Sequence, residues 1–319
     1  LLNEIIYTTS SQNQSISDNI GEYMNTSGWL LKGGEAKTSV FHLGGYCSEW
    51  KASTYSYGEP SFHIILGGEC WLDLFNQQPR IMLEKGDILF FFNNFPFYLT
   101  SSPDKSIDDL PRKQMSKTED VSTDSTDLLC GFIQPNSIAS QLRFALLPDI
   151  FLIKQKDDVS NKIHSLFELL LTEVNASADE NNCIITHLTD AILHYVVSES
   201  TSLYDIDINL LNAANDEPLA KLIIAIIKNP QYSWSLDDMA RFTYMSRSTF
   251  IRRISKATSY TPNLVLSKLR IYVSLNLLRR GIKTEDIYSS VGYESLSGFY
   301  QAFKRVMGTA PGDYLSSCK

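Results

Sequence analysis

The chain has 319 residues, 43% of them hydrophobic and 20% charged, and a formal net charge of −8. That length supports about two domains, each with its own core, and no apolar run approaches the ~20 residues a membrane helix needs. Leu1-Leu-Asn-Glu-Ile-Ile-Tyr7 lacks the basic start and apolar centre of a secretory signal, so a soluble, cytoplasmic protein with no membrane partner is expected.

Cys47, Cys70, Cys130, Cys183 and Cys318 are scattered and form no CxxC, which fits reduced thiols better than a disulfide framework. The net charge by itself argues against a polyanion partner, but its distribution points the other way. From Asp216 onward there are 15 Lys+Arg against 8 Asp+Glu, a balance of +7, and the preceding residues carry −15. An acidic front and a basic back mark the C-terminal third as a polyanion-binding module.

Residues 29–100 hold short β-rich runs at Ser39–Leu43, Ser61–Leu66, Cys70–Phe75, Arg80–Leu83 and Ile88–Phe92, separated by Gly- and Asn-rich punctuation. Many short strands at this spacing predict a small sandwich or barrel. The order strand, Gly67-Gly-Glu69, strand, turn, strand, Lys85-Gly-Asp87, strand resembles a cupin. Within cupins it is most similar to the sensor barrel fused to AraC-type regulators, in which a run like Phe62 to Leu72 recurs. Metal-binding cupins resemble one another in a His-x-His pair, a Glu and a later His. Here His63 and Glu69 match, but Ile65 stands at the second His and Phe97 near the late one. No metal, cofactor or catalytic residue is therefore expected. The barrel is rich in aromatics instead: Trp29, Phe41, Trp50, Phe62, Trp71, Phe75, Phe90, Phe92, Phe95, Phe97 and Tyr98. They are open to two readings, an ordinary packed core or an apolar effector pocket. The pocket candidates are His63, Ile65, Glu69, Trp71, Phe90, Phe92 and Phe97.

Ser101 to Asp127 is polar and aperiodic, which predicts a long mobile loop or disordered insertion, before a return strand at Leu128–Ile133. Val159–Val174 and Cys183–Val197 place apolar residues at helical spacing and predict an αα-hairpin, either packed on the barrel or forming a homodimer interface. Asp205 to Asp216 reads as a connector. The expected domains are thus 1–158, 159–204 (hairpin), 205–216 (linker) and 217–319.

The last of these carries the clearest pattern. Leu219–Ile227 is an apolar helix ended by Asn229-Pro230, and Ser235 caps Leu236–Phe242 with acids in the first turn. The turn Thr243–Met245 leads to Ser246, the cap of a helix with Phe250 and Ile254 inward. Arg247, Ser248, Thr249, Ile251, Arg252, Arg253 and Lys256 are its candidate DNA contacts. Thr261-Pro262 opens a long helix reaching about Arg280. Thr284 is expected to cap Glu285–Val291, and Ser295 a second reading helix with Phe299 and Phe303 inward. Its candidate contacts are Ser295, Leu296, Ser297, Tyr300, Gln301, Lys304 and Arg305. Cationic and amide groups suit phosphates and base edges in a major groove.

Met245-Ser246, Arg252, Pro262, Arg270, Leu277-Leu278, Ile287, Val291–Ser295, Phe299, Ala302–Arg305, Gly308, Pro311 and Tyr314 resemble the AraC/XylS-type DNA-binding domain over the last third of the chain. The resemblance implies two helix-turn-helix units on one DNA face, with Ser248, Ile251, Arg252, Leu296, Ser297 and Gln301 at base-reading positions. Gln301 stands where a basic residue is usual, Ser259 where Gly is common, Tyr288 where a small residue is, and Leu315 where an Arg is.

The expected fold is two-domain α+β: an N-terminal cupin-like β-barrel with an αα-hairpin, then an all-α double helix-turn-helix domain. The expected function is a transcription regulator whose barrel senses a small-molecule effector. Double-stranded DNA, that effector, a second copy of the chain and RNA polymerase are the candidate partners. The alternatives are redox sensing through Cys70 and Cys130, and a metal-independent cupin enzyme with a DNA-binding tail.

Overall fold

The computed structural model describes residues 7–8, 36–74, 79–93, 95–114, 116, 125–156, 161–177, 182–203, 207–279 and 281–317. The first six residues, Trp29, Phe75, residues 117–124 and Cys318 lie outside the described residues. The chain forms two compact units: one of 7–136 with 149–205, and one that joins 137–148 to 206–319.

Among the described residues the first unit has ten strands: β1 Tyr7–Thr8, β2 Ala36–Tyr46, β3 Lys51–Ala52, β4 Ser61–Gly67, β5 Glu69–Asp73, β6 Ile81–Glu84, β7 Ile88–Phe91, β8 Tyr98–Thr100, β9 Thr126–Pro135 and β10 Ile150–Ile153. They make a six-stranded sheet in the order β1-β10-β7-β4-β9-β2 and a four-stranded sheet in the order β3-β8-β5-β6. Within the six-stranded sheet β1 is parallel to β10 and the other pairs are antiparallel. Each β-rich run expected from sequence overlaps one of these strands. Both faces of β4 and β7 are buried, so their sequences read as continuous apolar runs rather than alternating ones. Gly131 on β9 is dictated by its partner: a Cβ there would lie 2.3 Å from the Phe62 ring and 2.5 Å from the Ser39 carbonyl oxygen.

The segment after β8 departs from the expected loose loop. Ile107 and Leu110 are buried, at 6% and 2% exposure. Arg80 donates Nη1–H to the Ser102 carbonyl (2.6 Å) and Nη2–H to the Lys105 carbonyl (2.7 Å), while its Nε–H bonds Asp73 at 2.7 Å. Lys51 N–H bonds the Pro111 carbonyl at 2.8 Å, and Gly45 and Ser116 exchange two backbone bonds. Two apolar anchors and one buried cation thus order 101–114, the guanidinium tying two loop carbonyls to Asp73.

Helices α2 Asn161–Ala176 and α3 Cys183–Leu203 form the expected hairpin, with Ile163, Phe167, Leu170, Ile185, Ile192 and Val196 buried. It packs on β2. Thr38 N–H donates to Asp190 at 2.6 Å, and the Thr38 and Thr189 hydroxyls lie 2.8 Å apart.

In the second unit, α1 Ile138–Ala145 packs against α5 Glu217–Lys228. Ser137 and Ser140 form the capping box that starts α1. The stretch expected as a connector folds, from Asp207 on, into α4 Ile208–Leu211 and a 3-10 turn Asn212–Asn215, with Leu210, Leu211, Ala213 and Ala214 buried. Asp207 holds it to the next layer by accepting from Tyr260 (3.2 Å) and Lys268 (2.8 Å). The remaining helices are α6 Leu236–Phe242, α7 Arg247–Thr258, α8 Pro262–Arg279, α9 Thr284–Ser290, α10 Leu296–Met307 and α11 Pro311–Ser317. One expected cap is corrected: Lys283, not Thr284, occupies the N-cap of α9, and no side chain bonds there.

Candidate nucleic-acid interface

Both reading helices are set by the same local chemistry. At α6, the Ser235 hydroxyl accepts from Asp238 N–H while the Asp238 carboxylate accepts from Ser235 N–H, a reciprocal cap. The turn follows through Tyr244, whose φ is 56°. Met245 N–H bonds the Ala240 carbonyl at 2.9 Å, which folds the chain back toward α7. Ser246 Oγ then accepts from Thr249 N–H (3.3 Å), and in the second unit Ser295 Oγ accepts from Gly298 N–H (3.2 Å). Two otherwise unpaired N–H groups are thereby satisfied at the ends that would face DNA.

The inward faces are fully packed. Phe250 and Ile254 on α7, and Phe299, Ala302 and Phe303 on α10, are buried. The α10 residues share one core with Ile271, Leu275 and Leu278 of α8 and with Ile287 and Val291. Helix α8 touches α5, α7, α9 and α10, so a single rod belongs to both units. Its 18 residues at 1.5 Å rise make about 27 Å, close to the ~34 Å between successive major-groove faces.

The outward faces carry the candidate contacts. On α7, Arg247, Ser248, Ile251, Arg252, Arg253 and Lys256 are exposed and Thr249 is half-buried; on α10, Ser297, Tyr300, Gln301, Lys304 and Arg305 are exposed and Leu296 is half-buried, beside the exposed cap Ser295. The structure separates the cations into two groups, which sequence alone did not. Arg247 forms a two-bond ion pair with Asp237, which raises its pKa above the ordinary value, and Arg253 pairs with Asp216, the N-cap of α5. Arg305 donates to Ser267 Oγ at 3.2 Å. Arg252, Lys256 and Lys304 form no ion pair among the described residues, so their charges are the ones open to a phosphate or a base. Tyr244, in the turn before α7, is 97% exposed in the left-handed region, which costs a non-glycine residue about 1–2 kcal/mol; an aromatic at a turn position that favours Gly or Asn is its mark in the sequence.

In the barrel the seven pocket candidates fall into three places. Strand register puts Ser61, His63 and Ile65 on one face of β4, opposite Phe91 and Leu89, and puts Phe62 and Phe90 together on the other. Phe97 meets His63 (rings 5.4 Å apart) and stacks on Phe91, whereas Phe92 stacks on Phe90. His63, Ile65, Phe90, Phe92 and Phe97 are all at most 3% exposed. Burial lowers the His63 pKa to about 3. Its Nε2 lies 3.3 Å from the Thr54 hydroxyl and its Nδ1 3.0 Å from Cys130 Sγ. Glu69 and Trp71 share the more open face of β5. Glu69 lines a cleft of about 700 Å³ with Gly68, Glu84, Lys85, Thr126 and Gln155. Cys70 and Cys130 are buried, and burial pushes both thiols well above their usual pKa. Among the described residues no three His, Cys, Asp or Glu side chains are grouped to hold a metal, and no helix is long and apolar enough to cross a membrane.

A pair of capped helices with packed inner faces and cationic outer faces, carried on one rod, is the arrangement of a DNA-binding transcription regulator. Comparison with known proteins agrees. A cupin model matches residues 29–198 and a helix-turn-helix domain model residues 239–317. An uncharacterized HTH-type transcriptional regulator of Haemophilus influenzae is 28% identical, covering 84% of this chain and 91% of its own. The RCS-specific HTH-type transcriptional activator RclR of Escherichia coli is 25% identical over 64% of this chain and 73% of its own. A putative AraC-like transcription regulator of Streptomyces lividans is 26% identical over 79% and 85%. The chain belongs to the AraC-type regulators that carry a cupin-like N-terminal domain.

Proposed function

We propose that α7 and α10 read successive major grooves on one face of a duplex and that the barrel adjusts this binding in response to a small-molecule effector. The observation that carries the first part is the pairing of two capped helices that each carry cations with no ion pair among the described residues, Arg252 and Lys256 on one and Lys304 on the other. Arg252, with Ser248 and Ile251, meets base edges in the first unit; a guanidinium there suits the O6 and N7 acceptors of guanine. Gln301, with Leu296 and Ser297, does so in the second, and its amide suits adenine. Arg247 and Arg253 reach phosphate only by leaving Asp237 and Asp216, so their contribution is smaller than their charge suggests. The cleft beside Glu69, open and flanked by Glu84 and Lys85, supports a small polar effector better than the packed aromatic interior does. Two copies of the chain on paired sites would raise the affinity by avidity.

The test is an electrophoretic band shift with a promoter fragment at several salt concentrations. The wild-type complex weakens steeply with salt, and the double charge reversal Arg252→Glu, Lys304→Glu weakens it by at least roughly tenfold at fixed salt. A complex of unchanged affinity in the double variant would remove the basis for this reading.

A further inference from the structure

The long helix fixes how far apart the two reading helices are, but the rod alone does not fix the rotation of one about it. The geometry points to Arg270 as the residue that sets this rotation. It is a positioning residue that locks the two helix-turn-helix units into the register a two-groove site requires, and this role rests on the two-groove reading above.

Arg270 lies midway along α8 and its guanidinium reaches in two directions. Its Nε–H donates to the Pro230 carbonyl at 3.0 Å and its Nη2–H to the Tyr232 carbonyl at 2.9 Å. Both carbonyls belong to the turn that leads into α6, the entry to the first unit. The same guanidinium sits 5.7 Å from the centre of the Tyr293 ring. Tyr293 belongs to the turn between α9 and α10, inside the second unit.

A second observation is independent of these bonds. Gly292, the residue before Tyr293, has φ +86°, and a Cβ on it would lie 2.5 Å from Arg270 Nη2 and 2.5 Å from the Pro230 carbonyl oxygen. The turn of the second unit therefore lies directly against the guanidinium and against the Pro230 loop that precedes α6. Pro230, Arg270 and Gly292 form one contact joining three elements. A reading helix starts a few residues beyond the Gly292 turn, and the first helix of the other unit starts a few residues beyond the Pro230 turn.

The side chain is suited to this task for reasons of shape. A planar guanidinium can donate two divergent in-plane bonds while offering its flat face to an aromatic ring, and an ammonium cannot do both. Partial burial lowers the Arg270 pKa and raises that of Tyr293, and the cation opposes the second shift. Bonds between a cation and carbonyls in this setting are stronger than neutral ones and directional. Ser267, one turn earlier on α8, adds a smaller tie by accepting from Arg305 of α10 at 3.2 Å.

The test measures register rather than affinity alone. The probe is the duplex site that footprinting recovers from a bound promoter, together with versions carrying one base pair inserted or deleted between the two contacted grooves. Each such change displaces one groove face by about 3.4 Å and about 35°. Full-length wild type is expected to bind the altered duplexes roughly tenfold or more weaker than the native one. Arg270→Gln is expected to bind the native duplex more weakly and to lose most of the spacing penalty, retaining about threefold or less. Arg270→Lys should behave like Arg270→Gln, because charge without the planar fork does not restore the contact.

If Arg270→Gln does not fold, Tyr293→Leu provides the same readout by removing the ring that the guanidinium faces on the side of the second unit, leaving its bonds to the first unit in place. A variant that loses affinity while keeping the full wild-type spacing penalty would overturn the positioning role and leave Arg270 a stabilising residue only. A wild-type protein with no spacing penalty would instead show that only one unit engages DNA, taking the two-groove reading and this inference down together.

Discussion

Arg80→Met offers the sharpest perturbation of the barrel. Arg80 and Asp73 have side chains 2% and 1% exposed and bonded at 2.7 Å, and the same guanidinium satisfies the Ser102 and Lys105 carbonyls. Replacing the cation with an apolar side chain of similar length leaves Asp73 buried without its charge partner and two loop carbonyls without donors. Breaking a buried pair from one side costs about 3–5 kcal/mol. For a unit of this size each kcal/mol is worth about 2–4 °C, so the melting temperature of the barrel should fall by roughly 6–20 °C. The 101–114 segment should also loosen. Limited trypsin digestion, followed by mass spectrometry, should therefore cut at Lys105, Arg112 or Lys113 much faster in the variant than in wild type. A variant that melts within about 2 °C of wild type and digests at the same rate would refute the role assigned to Arg80.

His63 and the thiols give two further predictions. The folded-state pKa of His63, lowered by burial to about 3, lies below the ordinary 6.5. Above pH 6.5 the ring is neutral in both states; below it only the unfolded chain takes up the proton, so stability is lost as pH falls from about 6.5 toward 3. Urea denaturation should show wild type losing about 1.4 kcal/mol per pH unit in that window relative to His63→Gln. A pH-independent difference between the two would mean that His63 is protonated in the folded barrel. Maleimide labelling of the native chain should modify exposed Cys183 quickly and leave Cys70 and Cys130 untouched until denaturant is added. Labelling of either buried thiol at a rate near that of Cys183 would restore redox sensing through the barrel as a competing account.

The reading helices were legible because their signals are local. Ser235, Ser246 and Ser295 are cap residues directly before helical runs, Pro262 opens the rod, and Phe250, Ile254, Phe299 and Phe303 repeat at helical spacing. What was not legible depends on partners distant in the chain. Asp237 is 10 residues from Arg247 and Asp216 is 37 from Arg253, so nothing nearby marks these cations as engaged. The order in 101–114 comes from Arg80, 22 and 25 residues upstream of the carbonyls it holds. Helix α1 begins with a Ser-x-x-Ser cap in place of the more familiar Ser-x-x-Glu and runs only eight residues, too few to establish a period. Residue type alone groups the pocket candidates, but strand register divides them: His63 and Phe90 lie on opposite faces of one sheet. Ser259 shows the reverse case. It departs from a common glycine, and its φ of 58° at the end of α7 shows why glycine is favoured there.

The central claim is that both units contact DNA at once, and hydroxyl-radical footprinting of the full-length protein on a bound promoter tests it most directly. The account predicts two protected patches on the same face of the duplex, centred about one helical turn apart, with Lys304→Glu erasing one and Arg252→Glu the other. A single protected patch that survives the Lys304→Glu change would contradict it.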